Sequence, residues 1–238
     1  YRHFMSNGVR TWVLSHDRIT NDADKFIGNT GLEKDRQLLY RAHEDHTRLR
    51  FERKWEGDMG IFTLGGSLEA VQLGALSESI KGSLTGLDTV QLQAMVNYVQ
   101  AGVFGAYAKT SQNGRGNLTL SLRLDAANYN LSMVNPLAQA SPRASYKYQL
   151  TSKWTANAHI GRYNQLPPGI LLAANTSSLE SSVMRFTKAD HVGTGIEYQN
   201  GKTYRVSMEV YHKQYLHAPF LAHDQIAYAN AIGAYVAV

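Results

Sequence analysis

Two groups of side chains in this sequence are of types that do chemistry. His43-Glu-Asp-His46 sets two imidazoles beside two carboxylates, a set that holds a divalent metal ion when its side chains converge. Asp125, Glu197 and Glu209 recur among Arg123, Arg143, Lys147 and Arg205, and carboxylates held at a fixed separation can do acid–base work. Neither group has the right setting. On a strand, positions three apart point to opposite faces, so the imidazoles of His43 and His46 diverge and solvated side chains are the better reading. The scattered carboxylates alternate with cations, the pattern of a ladder of opposite charges along a wet surface. His159 and His191 fall on the same kind of surface, where an imidazole can simply be wet. Gly-x-Ser-x-Gly, P-loop and dinucleotide motifs are absent, and Gly114-Arg-Gly116 reads as a turn. No catalytic, cofactor-binding or metal-ligating residue is assigned, and the chain is expected not to be an enzyme.

The elements that carry these residues are strands. Leu118, Leu120, Leu122 and Leu124 alternate with Thr119, Ser121, Arg123 and Asp125. The same period of two runs through Ala144, Tyr146, Tyr148 and Leu150, through Val192, Thr194, Ile196 and Tyr198, and through Tyr204, Val206, Met208 and Val210. Each such strand has one clean apolar face and one face bearing full charges, which suits a wall between lipid and water. The pattern predicts about ten strands, near 7–16, 37–55, 59–73, 91–109, 116–128, 142–151, 154–164, 189–199, 203–217 and 226–237. Helical periodicity is not found. Short connections hold turn residues, including Asn113-Gly114 and Asn200-Gly201, which suit tight hairpins. The long connections, 17–36, 74–90, 129–141, 165–188 and 218–225, are polar and irregular. Short turns at one end and long loops at the other make an up-and-down barrel, whereas a sandwich mixes turn lengths. Segments 37–55 and 91–109 exceed the roughly 9–11 residues that cross a membrane. Within 91–109 the apolar–polar pattern slips between Tyr98 and Phe104, which predicts a bulge near Gly102 or Gly105.

Composition agrees. No apolar run approaches the length of a membrane helix, and barrel strands need none. Fourteen Tyr against seven Phe and three Trp suit strands and interfacial aromatic girdles. The absence of Cys excludes disulfides and thiolate chemistry. A net charge of +5 is spread rather than clustered, against a nucleic-acid partner. No signal peptide is visible at Tyr1-Arg-His-Phe-Met-Ser6.

From about 97 to 235 the chain resembles the barrel of TonB-dependent outer-membrane receptors of the Bacteroidetes type. The residues that carry the likeness are Leu118–Asp125, Asn135-Pro-Leu137, Ser141-Pro-Arg-Ala-Ser-Tyr146, Gly161-Arg-Tyr-Asn-Gln-Leu-Pro-Pro168, Ala189–Tyr198 and Glu209-Val-Tyr-His-Lys-Gln-Tyr215. The resemblance implies a plugged barrel of about 22 strands in the outer membrane of a Gram-negative bacterium. Such a barrel imports a scarce nutrient (siderophore, vitamin, glycan or peptide), driven by an inner-membrane TonB complex acting through the plug. Outer-membrane lipid and the nutrient ligand are its other partners, and ligands meet the outer loops and upper lumen. Arg162, Tyr163, Arg185 and Phe186, flanking the long 165–188 loop, are the ligand contacts the resemblance suggests.

Neither plug nor TonB-contacting segment is recognisable, and residues 1–238 read as one barrel segment without plug or C-terminal strands. The expected architecture is therefore an all-β, antiparallel up-and-down transmembrane β-barrel in part, unclosed, with 7–16 and 226–237 as its edges. Two other readings stay open: a passive porin or structural barrel, and a soluble all-β ligand- or glycan-binding domain with its apolar faces buried.

Overall fold

The computed structural model describes residues 1–83, 86–169, 171–172, 184–201, 203–221 and 226–227. Ten strands form one antiparallel sheet: β1 (Arg2–Met5), β2 (Gly8–Phe26), β3 (Arg36–Gly57), β4 (Gly60–Ser83), β5 (Gly86–Thr110), β6 (Gly116–Ala127), β7 (Ser141–Gln149), β8 (Trp154–Gln165), β9 (Thr187–Asn200) and β10 (Tyr204–Leu216). Among the described residues each pairs only with its neighbours in sequence, and β1 and β10 are the edges of the sheet. This is an up-and-down all-β sheet matching part of a barrel. Gly114 and Gly201 take positive φ (71° and 55°) in the two Asn-Gly turns, as a side chain at those positions would resist.

Residues directly opposite in an antiparallel pair share a face. One row runs Tyr107, Leu120, Ala144, Ile160 and Val192 across β5 to β9. Another runs Leu118, Tyr146, Ala158, Thr194 and Val210 across β6 to β10. The apolar positions of the alternating rows named above that fall in β6 to β10 lie on this face, which we call outer. On the other face run Ser121, Arg143, Gly161, His191 and Lys213. Arg123, Asp125, Glu197, Arg205 and Glu209 share that inner face.

The outer face is zoned along the strands. At the short-turn end its aromatic rings meet in pairs: Trp12 with Phe51 (4.4 Å), Trp55 with Phe62 (5.7 Å), Phe62 with Tyr107 (4.8 Å), Trp154 with Tyr198 (4.8 Å) and Tyr198 with Tyr204 (5.9 Å). Aliphatic positions follow. At the long-loop end come ion pairs, Arg18 with Asp45 (2.5 Å) and Arg162 with Asp190 (2.7 Å).

Four expectations are corrected. A strand precedes 7–16, because β1 pairs with β2 around a two-residue turn. The segments 17–26 and 74–83 are strand rather than loop. In β2 that part, Asp17-Arg-Ile-Thr-Asn-Asp-Ala-Asp24, is mostly polar on both faces, so pairing with β3 leaves no alternation to read. The bulge near Gly102 or Gly105 does not occur, since β5 pairs in unbroken register with β4 and β6. Val96 and Tyr98 are inner residues buried under loops, so both faces of β5 are apolar there and the sequence pattern slips while the register does not. Finally, the sheet's last strand among the described residues is β10, and the start of the expected 226–237 strand does not join it. There Ile226–Ala227 (β12) pairs with Phe220–Leu221 (β11) as a separate ribbon, and the rest of that segment lies outside the described residues.

The unbroken register is open to test in a chain that has no native Cys. Ala101→Cys with Ala126→Cys, and Tyr107→Cys with Leu120→Cys, are directly opposed pairs on either side of the two glycines and lie within disulfide reach. Both are expected to oxidise, as read by gel shift after proteolysis. A slipped register would leave one pair unlinked.

Candidate functional site

The inner face carries a belt of cations at mid-height. Arg48 on β3 binds Glu69 on β4 through two contacts (2.6 and 3.1 Å). His46 stands 2.8 Å from that carboxylate and 2.8 Å from Glu44. Arg50 pairs with Glu52 two residues along (2.7 Å) and lies over the Phe104 ring at 5.9 Å. Arg123 grips the buried carboxylate of Asp125 (2.6 to 3.0 Å). A cavity of about 460 Å³ opens among Arg48, Arg50, Gln100, Phe104, Arg123 and Arg143.

Arg143 differs from its neighbours. Its guanidinium lies flat on Tyr163, 4.0 Å from the ring centre, and that ring stacks against His191 at 4.6 Å. Among the described residues Arg143 has no carboxylate partner, and its Nε is buried without a hydrogen bond, as is Nε2 of His191. The nearby acids are engaged elsewhere: Glu197 with Arg205, and Glu209 3.9 Å from His159.

Beyond this belt, toward the long-loop end, two loops fold down onto the inner face. Leu172, Phe186 and Met133 are almost wholly buried and pack with the strand pairs Val71–Tyr98, Leu73–Val96 and Ala75–Ala94. Short helices shape the first loop. Asn130 caps α1 (Leu131–Val134) by accepting from the Met133 amide, and Asn135 caps the 3-10 turn Pro136–Gln139 by accepting from the Leu137 amide. Polar bonds tie the two loops together. The Tyr129 hydroxyl donates to the Leu172 carbonyl (2.9 Å), and Asn130 Nδ2 and Ser132 Oγ donate to that of Met184 (2.9 Å each). Burial raises the Tyr129 phenol above its ordinary range, which keeps it the neutral donor this bond needs.

The four residues suggested as ligand contacts fall in three places. Tyr163 faces inward in the stack just described. Arg162 is on the outer face, held by both carboxylate oxygens of Asp190 at 2.7 Å. Arg185 is exposed on the loop, while Phe186 is 1% exposed inside the loop cluster. His43 and His46 sit on opposite faces, paired with Gly74 and Val71 respectively. No three His, Asp or Glu side chains among the described residues gather as metal ligands. Sequence reasoning passed over the loop seal. Asn130 and Asn135-Pro136 are ordinary cap signals that could have shown the helical turns.

No protein-family profile matches the sequence, and no curated protein matches it. Solved structures do. The copper transporter OprC superposes with a TM-score of 0.61 at 16% identity, over 88% of this chain and 36% of that one. The structure of the FpvAI–pyocin S2 complex gives 0.68 at 12% identity, over 90% of this chain and 31% of that one. The fold is that of a TonB-dependent receptor barrel. The chain spans about a third of the length of these two relatives. At such identities the likeness shows the fold alone.

The seal over the inner face depends on the ring of Phe186, the largest fully buried side chain among the described residues. Phe186→Ala removes that ring and is expected to weaken loop docking by about 3–5 kcal/mol. Limited proteolysis should then cut within 128–140 while the strands resist. An unchanged cleavage pattern would show that Phe186 does not hold the loops.

Proposed function

We propose that residues 1–238 are part of the barrel of a TonB-dependent receptor in the outer membrane of a Gram-negative bacterium of the Bacteroidetes type. On this reading the whole protein takes up a scarce nutrient on ligand binding, and the chain does no chemistry of its own. The observation that carries it is the sorting of the sheet's two faces. The outer face is an aliphatic band with aromatic rings at one end and ion pairs at the other, the profile of a barrel wall in lipid. The inner face is charged and partly roofed by loops. Among the described residues no second sheet covers the Leu118–Leu124 row, which counts against a soluble domain with that row as its core.

The TonB complex would act through a plug outside residues 1–238, seated against the inner face. Ligand would meet the upper lumen, where Tyr163 faces inward and Arg185 is exposed. Arg162, bound to Asp190 on the outer face, and Phe186, under the loops, would position that region from behind.

Two experiments test this. Leu122→Arg in the complete barrel should cost about 2–4 kcal/mol if the site is near the bilayer midplane. Thr119→Arg, on the inner face, should be nearly silent in the same folding titration in lipid vesicles. Equal losses would contradict the face assignment. Separately, nutrient uptake through the complete receptor should stop in cells lacking TonB; uptake that persisted would favour a passive porin.

A further inference from the structure

Toward the long-loop end of β7 to β10 the inner face carries four basic side chains, Arg143, His159, His191 and Lys213. The register places Arg143 and Lys213 in one row with His191, and His159 one residue pair away. The acids near this patch do not neutralise it. Glu209 stands 3.9 Å from His159, and Asp190, beside His191 in sequence, lies on the outer face, bound to Arg162 opposite it. Across the sheet, each arginine of the mid-height belt other than Arg143 has a carboxylate within 2.7 Å.

The cluster is also pre-ordered. Stacking on Tyr163 fixes the plane of the Arg143 guanidinium, and Tyr163 is braced by His191. Opposite Arg143 stands Gly161, where an added Cβ would come 2.9 Å from the arginine's Cγ, so the glycine makes room for this placement. A guanidinium held flat against an aromatic ring keeps an edge of N–H donors for a planar or tetrahedral oxyanion. Leaving such a group without an acid partner is costly in a structure that pairs its other belt arginines.

We propose that Arg143, Tyr163, His191 and Lys213 form a luminal oxyanion site, taking a carboxylate or phosphate group. Arg143 is the principal donor and Tyr163 the platform that orients it. Lys213, on the next strand but one, adds long-range attraction. The anion comes either from a free ligand passing through the lumen or from an acidic side chain of the receptor itself seated there. The inference rests on the receptor reading, since it assumes an aqueous lumen on this face.

The test uses the complete receptor purified in detergent, with inorganic phosphate and citrate as probes in calorimetric titration. With a free ligand as the source, the wild type binds one of these anions, and Arg143→Gln weakens binding about tenfold or more. Arg143→Lys, which keeps the charge and loses the fork, falls between. Arg115→Gln, at a turn on the far side of the band, changes nothing. With an internal acid as the source, the wild type binds neither probe. Arg143→Gln then frees the seated segment, read as new protease cuts outside residues 1–238. Heat-modifiable gel migration confirms that each variant is a folded barrel. Binding that survives Arg143→Gln, or no binding together with unchanged protease cuts, overturns the site. TonB-independent uptake would instead overturn the receptor reading and leave the titration standing, so the two failures are distinguishable.

Discussion

The two-residue period of the β-strand is the constraint on which this molecule depends. Neighbouring side chains point to opposite faces, and direct cross-strand partners share one. A single contiguous register therefore commits each pair of strands from β1 to β10 to one assignment of outer and inner. One slipped residue would turn a strand's apolar row to the charged side and its charges to the apolar side. Among the described strand pairs the sole register shift is at Lys25/Phe26, at the far end of β2 beside the loop. Where both faces are polar, as in that part of β2, a shift costs little; where one face is a continuous apolar band, none occurs.

The inner face meets a second constraint, because charges turned away from the apolar band still need partners. The fold supplies them by two routes. Some lie two residues apart on one strand, as in Arg50–Glu52 and Arg123–Asp125, and others directly opposite, as in Arg48–Glu69. Nearer the long-loop end the solution changes from charge to burial. Inner positions become Val71, Leu73, Val96 and Tyr98, and Met133, Leu172 and Phe186 from the two loops come down to cover them. The same wall thus has a wet, ion-paired part and a dry, roofed part. Tyr163 and Arg143 stand near the boundary between the two, where the chain of β8 leaves the sheet for the long loop.

Much of this was legible in the sequence for a simple reason: where one face is apolar and the other charged, alternation is a direct record of the structure. The strands β6 to β10, with Leu118–Leu124 and Tyr204–Val210 as their clearest rows, were readable almost residue by residue. Legibility failed where the two faces stopped differing. Residues 17–26 are mostly polar on both sides and 94–104 apolar on both, so one was read as loop and the other as bulged. Residues 74–83 failed as well. The four residues suggested for ligand contact came from their place beside a long loop. Alternation along 154–164 already parts the neighbours Arg162 and Tyr163 to opposite faces; their partners, Asp190 and Arg143, depend on strand pairing that the sequence alone does not show. The solitary state of Arg143 was illegible too, since it depends on the register that sets Asp190 opposite Arg162 on the outer face and gives Glu197 to Arg205.

The most direct test of the account is a nitroxide scan of positions 118 to 125 in the complete receptor reconstituted in liposomes, comparing collision rates with oxygen and with a water-soluble nickel chelate. Labels at Leu118, Leu120, Leu122 and Leu124 should relax mainly with oxygen, because they face lipid. Those at Thr119, Ser121 and Arg123 should relax mainly with the chelate, because they face water. A clean two-residue oscillation in that phase is the expected result. A flat profile, or an oscillation in the opposite phase, would contradict the assignment of the two faces and with it the proposed receptor reading.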